Sequence, residues 1–261
     1  MNNEPELIKG DFFTCNEQIP PGSVDLVLTD PPFGILQEIQ VWDILPDLQN
    51  LEIALDYVLK PSGQVLLFCD IHLLKELMNT FKTRFQYRFF HIWKKPGGMP
   101  VSQFRPINDA EFILLFRKKG TLEKDLTFNP EAMGESGEPY FKNNSSPDIP
   151  TRKQKKAPQN RNLSGTRYPK TIIEAPHKPN MKAEERSKHP TQKPELLLRK
   201  LIRGYSNPGE LVFDPFSGSG STLISAYKEG RRSIGFEIEE QYFTEAKQRI
   251  DDVTCQAELF A

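Results

Sequence analysis

Two consecutive prolines, Pro31 and Pro32, close the apolar run Val24-Asp25-Leu26-Val27-Leu28-Thr29, and they constrain the fold more than any other feature of the chain. The run alternates and is β-branched enough to read as a buried strand. A diproline can neither continue a sheet ladder nor open into a helix interior, so the backbone must leave the sheet extended. Asp30 therefore stands at the carboxyl end of a strand, and Phe33 lies just past a stiff corner. The Asp30 carboxylate and the Pro31 carbonyl can both accept hydrogen bonds from one amino group, while Phe33 stacks on the flat ring that carries it. That set suits the exocyclic amine of a nucleobase. Four residues alone fit a proline-rich turn with a capping acid equally well.

The remaining pattern alternates strands with helices. Leu7 to Asp11 reads as a short strand ending in a glycine turn, and a helix follows around Leu48 to Leu59, closed by Lys60-Pro61-Ser62-Gly63. Gln64 to Asp70 is a second buried strand and Leu73 to Phe81 a helix. Arg88 to Lys94 and Glu111 to Phe116 are strands that bracket the loop Pro96 to Pro106. Pro194 fits the first turn of a helix running to about Arg203. Leu211 to Phe213 is a strand, followed by a helix ending at Gly230, the strand Ser233 to Ile238 and a helix from Glu239 to Ile250. Such alternation predicts an α/β fold with a doubly wound, mostly parallel sheet. From Gly120 to about Lys188 the apolar periodicity vanishes, which marks an excursion from the sheet rather than a separate domain.

The 261 residues carry a net charge of -1, so the whole chain gives no sign of an anionic partner. The distribution does. Thr151 to Lys188 holds eleven Lys and Arg against three acids, which suggests a local anionic partner or a solvated basic loop. Cys15, Cys69 and Cys255 lack paired spacing and the four histidines lack ligand spacing, so neither a disulfide framework nor a metal is expected. With no leader-like N-terminus and no membrane-length apolar run, an intracellular, cytoplasmic location is expected.

Asp214-Pro215-Phe216-Ser217-Gly218-Ser219-Gly220 joins a strand to a helix, a place where backbone approaches a ligand closely. It lacks the lysine of a phosphate-binding nucleotide loop. Glu237 ends the next strand, 23 residues after Asp214, where such folds set an acid against ribose hydroxyls. Together these point to a nucleoside cofactor.

The chain resembles the β group of amino-directed DNA methyltransferases, which use S-adenosyl-L-methionine. The likeness spans nearly all of residues 7 to 250. It rests on Asp30-Pro31-Pro32-Phe33, His189-Pro190-Thr191-Gln192-Lys193-Pro194 and Phe213 to Gly220 in family order, with Gly10-Asp11, Trp42-Asp43 and Leu59 to Gly63 also matching. The resemblance implies a Rossmann-like class I methyltransferase sheet. Residues 1–119 would be its catalytic half, 120–188 an inserted target-recognition region and 189–261 its cofactor-binding half. Asp214, Phe216, Ser217, Gly218 and Gly220 would line the methionine part of the cofactor, Glu237 its ribose and Asp11 its adenine amine. His189, Thr191 and Lys193 would close over the methionine end, although a solvated helix-entry residue is the alternative for His189. Asp30 would serve both methyl donor and target amine.

Catalysis would need no metal. Hydrogen bonds from the amine to Asp30 and Pro31 favour a pyramidal nitrogen with an available lone pair, and positioning supplies much of the rest. The base must be flipped out of double-stranded DNA and stacked on Phe33. Arg152, Lys153, Lys155 and Lys156 would neutralise phosphates, while Arg161, Asn162 or Arg167 would reach base edges. Gln103, Phe104 and Arg105 form a loop that either approaches the flipped base or merely connects two strands. In this family Asp at the first catalytic position goes with adenine and Ser with the cytosine amine, so adenine is expected. A cytosine-N4 enzyme and a catalytically silent DNA-binding subunit are the alternatives. Dimers are common in the group, which makes a homodimer an expectation of the resemblance alone.

Overall fold

β1 (Glu6–Lys9), α1 (Phe12–Cys15), β2 (Val24–Thr29), α2 (Leu48–Val58), β3 (Leu59–Cys69), α3 (Ile71–Thr80), β4 (Phe85–Lys94) and β5 (Ala110–Lys118) form the first part of the chain. α4 (Pro130–Met133), β6 (Tyr140–Phe141), β7 (Arg161–Asn162) and β8 (Ile172–Glu174) follow. α5 (Glu195–Tyr205), β9 (Leu211–Asp214), α6 (Ser221–Lys228), β10 (Arg232–Glu237) and α7 (Glu240–Leu259) complete it. The computed structural model describes residues 3–34, 42–97, 103–104, 106–134, 140–141, 161–162, 165 and 167–259.

Eight strands join in the order β1-β10-β9-β2-β3-β5-β4-β8. The pairings from β1 through β3 are parallel, β5 runs antiparallel to both β3 and β4, and β8 is parallel to β4. The expected α/β, mostly parallel sheet is what forms. Its central strands are buried on both faces, which explains their near-continuous apolar runs. Alternate residues go to opposite sides. Val27, Val65 and Leu67 pack with α2 and α3, whereas Leu26, Leu28, Leu66 and Val212 pack with α5.

β9 and β2 are neighbours whose chains diverge. β9 continues through α6 to β10 on one side, and β2 continues through α2 to β3 on the other. Loops leaving such a pair part from each other and open a crevice at the carboxyl ends of the strands.

Three boundaries differ from the sequence reading. Lys60-Pro61-Ser62-Gly63, expected to close the helix ahead of the strand, sits inside β3 instead. There Val24 pairs with Leu59 and Leu26 already with Gln64, so the four residues form an irregularity in the ladder. α3 begins two residues early because the Asp70 carboxylate caps it, accepting from Leu73 N at 2.8 Å. The excursion from 120 to 188 returns to the sheet at β8, where Ile172 and Ile173 pair with Ile92 and Trp93. β6 and β7 form a separate two-stranded ladder. Among the described residues no helix is long and apolar enough to cross a membrane.

Candidate active site

Four acids end four adjacent strands. Asp11 follows β1, Glu237 closes β10, Asp214 closes β9 and Asp30 follows β2, so the sheet sets them side by side along one edge. They line a single cavity of about 680 Å³ together with Pro31, Pro32, Phe33, His189, Thr191, Lys193, Phe216, Ser217 and Gly218. The sequence-predicted residues from both ends of the chain thus meet in one place. Gly220 does not. It takes a left-handed conformation (φ 73°) at the entry of α6, and a Cβ there would press on Ala246 at 3.1 Å, so its role is helix packing rather than lining.

The glycine loop is fixed by its own backbone. Ser217 N donates to Phe236 O at 2.8 Å and Gly218 N to Glu237 Oε2 at 2.8 Å, while Glu237 Oε1 accepts from Glu239 N at 2.7 Å. Burial raises the Glu237 carboxyl to about 7 despite those two donors. Asp214 accepts from Thr29 Oγ1 at 2.5 Å and Phe216 N at 3.1 Å, and burial pushes its pKa up as well. Asp11 accepts from Phe13 N at 3.0 Å.

The diproline corner is clamped from a distance along the chain. Asp43, buried, accepts from Phe33 N at 2.8 Å and Gly34 N at 3.1 Å. His189 lies between Trp42 and Tyr242, with ring centroids 5.1 and 4.3 Å away, and burial lowers its pKa to about 4. It is therefore a neutral ring packed on aromatics, not a solvated helix-entry residue. Thr191 Oγ1 stands 3.5 Å from His189 Nδ1.

Lys193 was expected over the methionine end of a cofactor. Its buried ammonium instead pairs with Asp30 Oδ2 and lies 3.5 Å from Glu111 Oε2. Burial pulls that ammonium down, but Asp30 and Glu111 together carry it above the usual lysine value. Asp30 is raised to about 6, by burial first, with Lys193 opposing and Glu111 adding to the rise. Its Oδ1 is shielded from solvent and has no hydrogen-bond partner among the described residues. A buried acceptor in that condition calls for a donor from a ligand.

Glu111 and Asp43 line the same cavity, and neither stands out in the sequence as a site residue. Glu111 is the second residue of β5, and because β5 runs antiparallel to β3 its first residues lie at the carboxyl end of the parallel strands. Reading Pro96 to Pro106 as a hairpin loop would have placed it there. Arg152, Lys153, Lys155, Lys156 and Arg105 lie outside the described residues, and so does Thr166 beside Arg167. Arg161 and Asn162 form β7, and Phe104 is 89% exposed.

The cavity wall holds seven carboxylates (Asp11, Asp30, Asp43, Glu111, Asp214, Glu237, Glu239) against one lysine. Such a wall suits a ligand carrying positive charge and several N–H or O–H donors. The close-approach positions agree: a Cβ on Gly218 would stand 3.1 Å from His189 Nε2, and one on Gly235 would stand 2.0 Å from Ser217 Oγ. A family model described as DNA methylase matches residues 24–248. The chain belongs to that family. A DNA adenine methyltransferase of Escherichia coli (strain K12), YhdJ, is 30% identical over 96% of this chain and 84% of its own length. The chain also superposes on M1.HpyAVI in complex with SAM (TM-score 0.64, 24% identity, 95% of this chain and 99% of that one). The cytosine-N4-specific PvuII DNA methyltransferase gives a TM-score of 0.67 at 18% identity, covering 97% and 91%. Members of the family are N6- or N4-directed DNA methyltransferases that use S-adenosyl-L-methionine, a cationic nucleoside of the kind this wall suits.

Proposed function

We propose that the protein methylates the exocyclic N6 amine of adenine in DNA, with Asp30 and the Pro31 carbonyl as acceptors for that amine. The observation that carries this reading is Asp30 Oδ1, buried and without a hydrogen-bond partner among the described residues, on a side chain that lines the cavity where β9 and β2 diverge. S-adenosyl-L-methionine supplies an electrophilic methyl on a sulfonium. Everything else is positioning by this chain. The Asp214–Gly218 loop and Glu237 hold the donor end of the cavity, and Asp11 its far end. Asp30 and Pro31 take the two amine N–H groups, which localises the nitrogen lone pair toward the methyl. Phe33 offers its face to the base, a contact worth roughly 1–3 kcal/mol. The new C–N bond forms as the S–C bond breaks, and one amine proton leaves through the hydrogen bond to Asp30.

Adenine is favoured by the aspartate at position 30 and by the adenine activity in the name of the 30%-identical relative. A cytosine-N4 product is the second reading, because a cytosine-N4-specific enzyme shares the fold. We assign target reading to the chain between β5 and β8, where the β6–β7 ladder stands apart from the main sheet and the basic residues concentrate.

The test uses methyl-labelled cofactor and genomic duplex DNA, digested to nucleosides. Label is expected on N6-methyladenine, and Asp30→Ala is expected to bind cofactor yet transfer nothing. Label on N4-methylcytosine would replace the base assignment, and full transfer by Asp30→Ala would remove the mechanism.

A further inference from the structure

Lys193 is shared between two buried acids, and an amine-accepting Asp30 requires only one of them. Glu111 sends Oε1 to Lys95 Nζ and sets Oε2 3.5 Å from Lys193 Nζ, while Lys193 pairs with Asp30 Oδ2. The four charges alternate in sign and cancel. The Lys193 ammonium also lies 5.3 Å over the Phe68 ring and 5.8 Å over the Phe33 ring, so it sits among aromatic faces. Each carboxylate keeps one oxygen buried and without a hydrogen bond among the described residues: Asp30 Oδ1 and Glu111 Oε2. The two oxygens differ in surroundings, because Glu111 Oε2 faces the ammonium and Asp30 Oδ1 does not.

We propose that Glu111 is a positioning residue for methyl transfer: it draws the Lys193 ammonium against Asp30 Oδ2 and so leaves Oδ1 for the incoming amine. This rests on the reading of Asp30 given above. A lysine with no second acid would be free to swing across both oxygens of Asp30 and compete with the substrate amine for Oδ1. Held between two carboxylates, it satisfies Oδ2 and keeps the Asp30 carboxylate charged where burial alone would neutralise it.

The charged or titratable groups facing Asp30 are Lys193 from the 189–194 segment, Glu111 from β5, Asp214 from β9 and Cys69 from β3. Those facing Glu111 are Asp30, Lys193, Cys69 and Lys95, which follows β4. Glu111 raises the Asp30 pKa, so removing its charge lowers it. A Glu111→Gln variant therefore moves the acidic limb of the kcat profile from near pH 6 to lower pH. Its kcat falls by on the order of ten- to a hundred-fold, from loss of orientation. Cofactor affinity changes little.

The experiment measures kcat against pH for the full chain, wild type, Glu111→Gln, Glu111→Asp and Asp30→Asn, on genomic duplex DNA, with cofactor binding by calorimetry. Glu111→Asp keeps the charge and shortens the reach, so its limb stays in place while kcat drops; it carries the test should Glu111→Gln not fold. A kcat loss with an unmoved limb in Glu111→Gln reduces Glu111 to a structural counter-ion and overturns the proposal. So does wild-type kcat in either Glu111 variant. Wild-type turnover by Asp30→Asn overturns the Asp30 reading itself, a separate result from failure of Glu111 alone.

Discussion

Replacing Asp43 by Ala isolates what holds the diproline corner. Its carboxylate is the acceptor for Phe33 N and Gly34 N, at 2.8 and 3.1 Å, and it stands ten and nine residues away along the chain. Hydrogen bonds to a charged partner contribute about 1.5–3 kcal/mol each. The two therefore gather about 3–6 kcal/mol, part of which water recovers because both amides are only partly buried. A net loss of about 2–3 kcal/mol in the population of the ordered corner corresponds to about 30- to 150-fold in kcat. Phe33 and the Pro31 carbonyl lose their fixed place, whereas Asp214 and Glu237 keep theirs, so cofactor affinity falls much less than turnover. The corner frays before the sheet does, so the midpoint of thermal unfolding drops by no more than about 4 °C. Asp43→Asn keeps an oxygen in reach of both amides and recovers most of the turnover. Steady-state methyl transfer at saturating DNA, calorimetric cofactor binding and a thermal melt read the three quantities. Turnover within twofold of wild type in Asp43→Ala would refute the clamp, and an Asn variant as poor as Ala would show that the amides are not what Asp43 serves.

Gly218→Ala puts a Cβ 3.1 Å from His189 Nε2 and forces a left-handed φ of 50°, a strain of about 1–2 kcal/mol. Cofactor affinity is expected to fall at least ten-fold by calorimetry while the melt moves little, and an unchanged Kd contradicts the close approach at this loop. Glu237 has a folded pKa near 7, raised above its ordinary 4.5, so its contribution to stability is fully present below 4.5 and is lost as pH rises through 7. Asp30, raised to about 6, acts in the same direction. The ligand-free protein is thus expected to lose thermal stability between about pH 4 and 7, with a shallower slope in Glu237→Gln; equal slopes would show that this carboxyl does not titrate there.

The sheet was legible because its central strands are buried on both faces and read as apolar runs between turn residues. The site was legible in the parts that lie at strand ends: Asp30, Asp214 and Glu237 each close an apolar run. Lys193 was found as a member of the cavity but not as the partner of Asp30, since no local pattern tells which of several acids a lysine will meet across 163 residues. Glu111 was passed over for a different reason. In an all-parallel sheet the first residue of a strand lies at the edge opposite the ligand, and only the antiparallel turn of β5 against β3 brings it round. Asp43 carried a signal, the Trp-Asp pair, but its use as an acceptor for two amides depends on the fold setting it beside Phe33 and Gly34. Gly220 shows the opposite error: it shares a motif with residues that line the cavity, and it faces Ala246 instead.

Strand spacing makes the row of acids a ruler. Asp11, Glu237, Asp214 and Asp30 end the consecutive strands β1, β10, β9 and β2, so three steps of roughly 4.8 Å span about 14 Å along the sheet edge. An extended nucleoside with an amino-acid tail fits that span only lengthwise. The proposed placement of its adenine at Asp11 and its ribose at Glu237 then brings the methyl-bearing end to the β9–β2 boundary, where the loops part and a second substrate can enter. Beyond that boundary the sheet reverses at β5 and supplies Glu111, which meets Lys193 of the 189–194 segment beside Asp30. Asp30 thus sits where the cofactor row ends and the charge network begins, and both its oxygens have a use only because the sheet changes direction two strands further on.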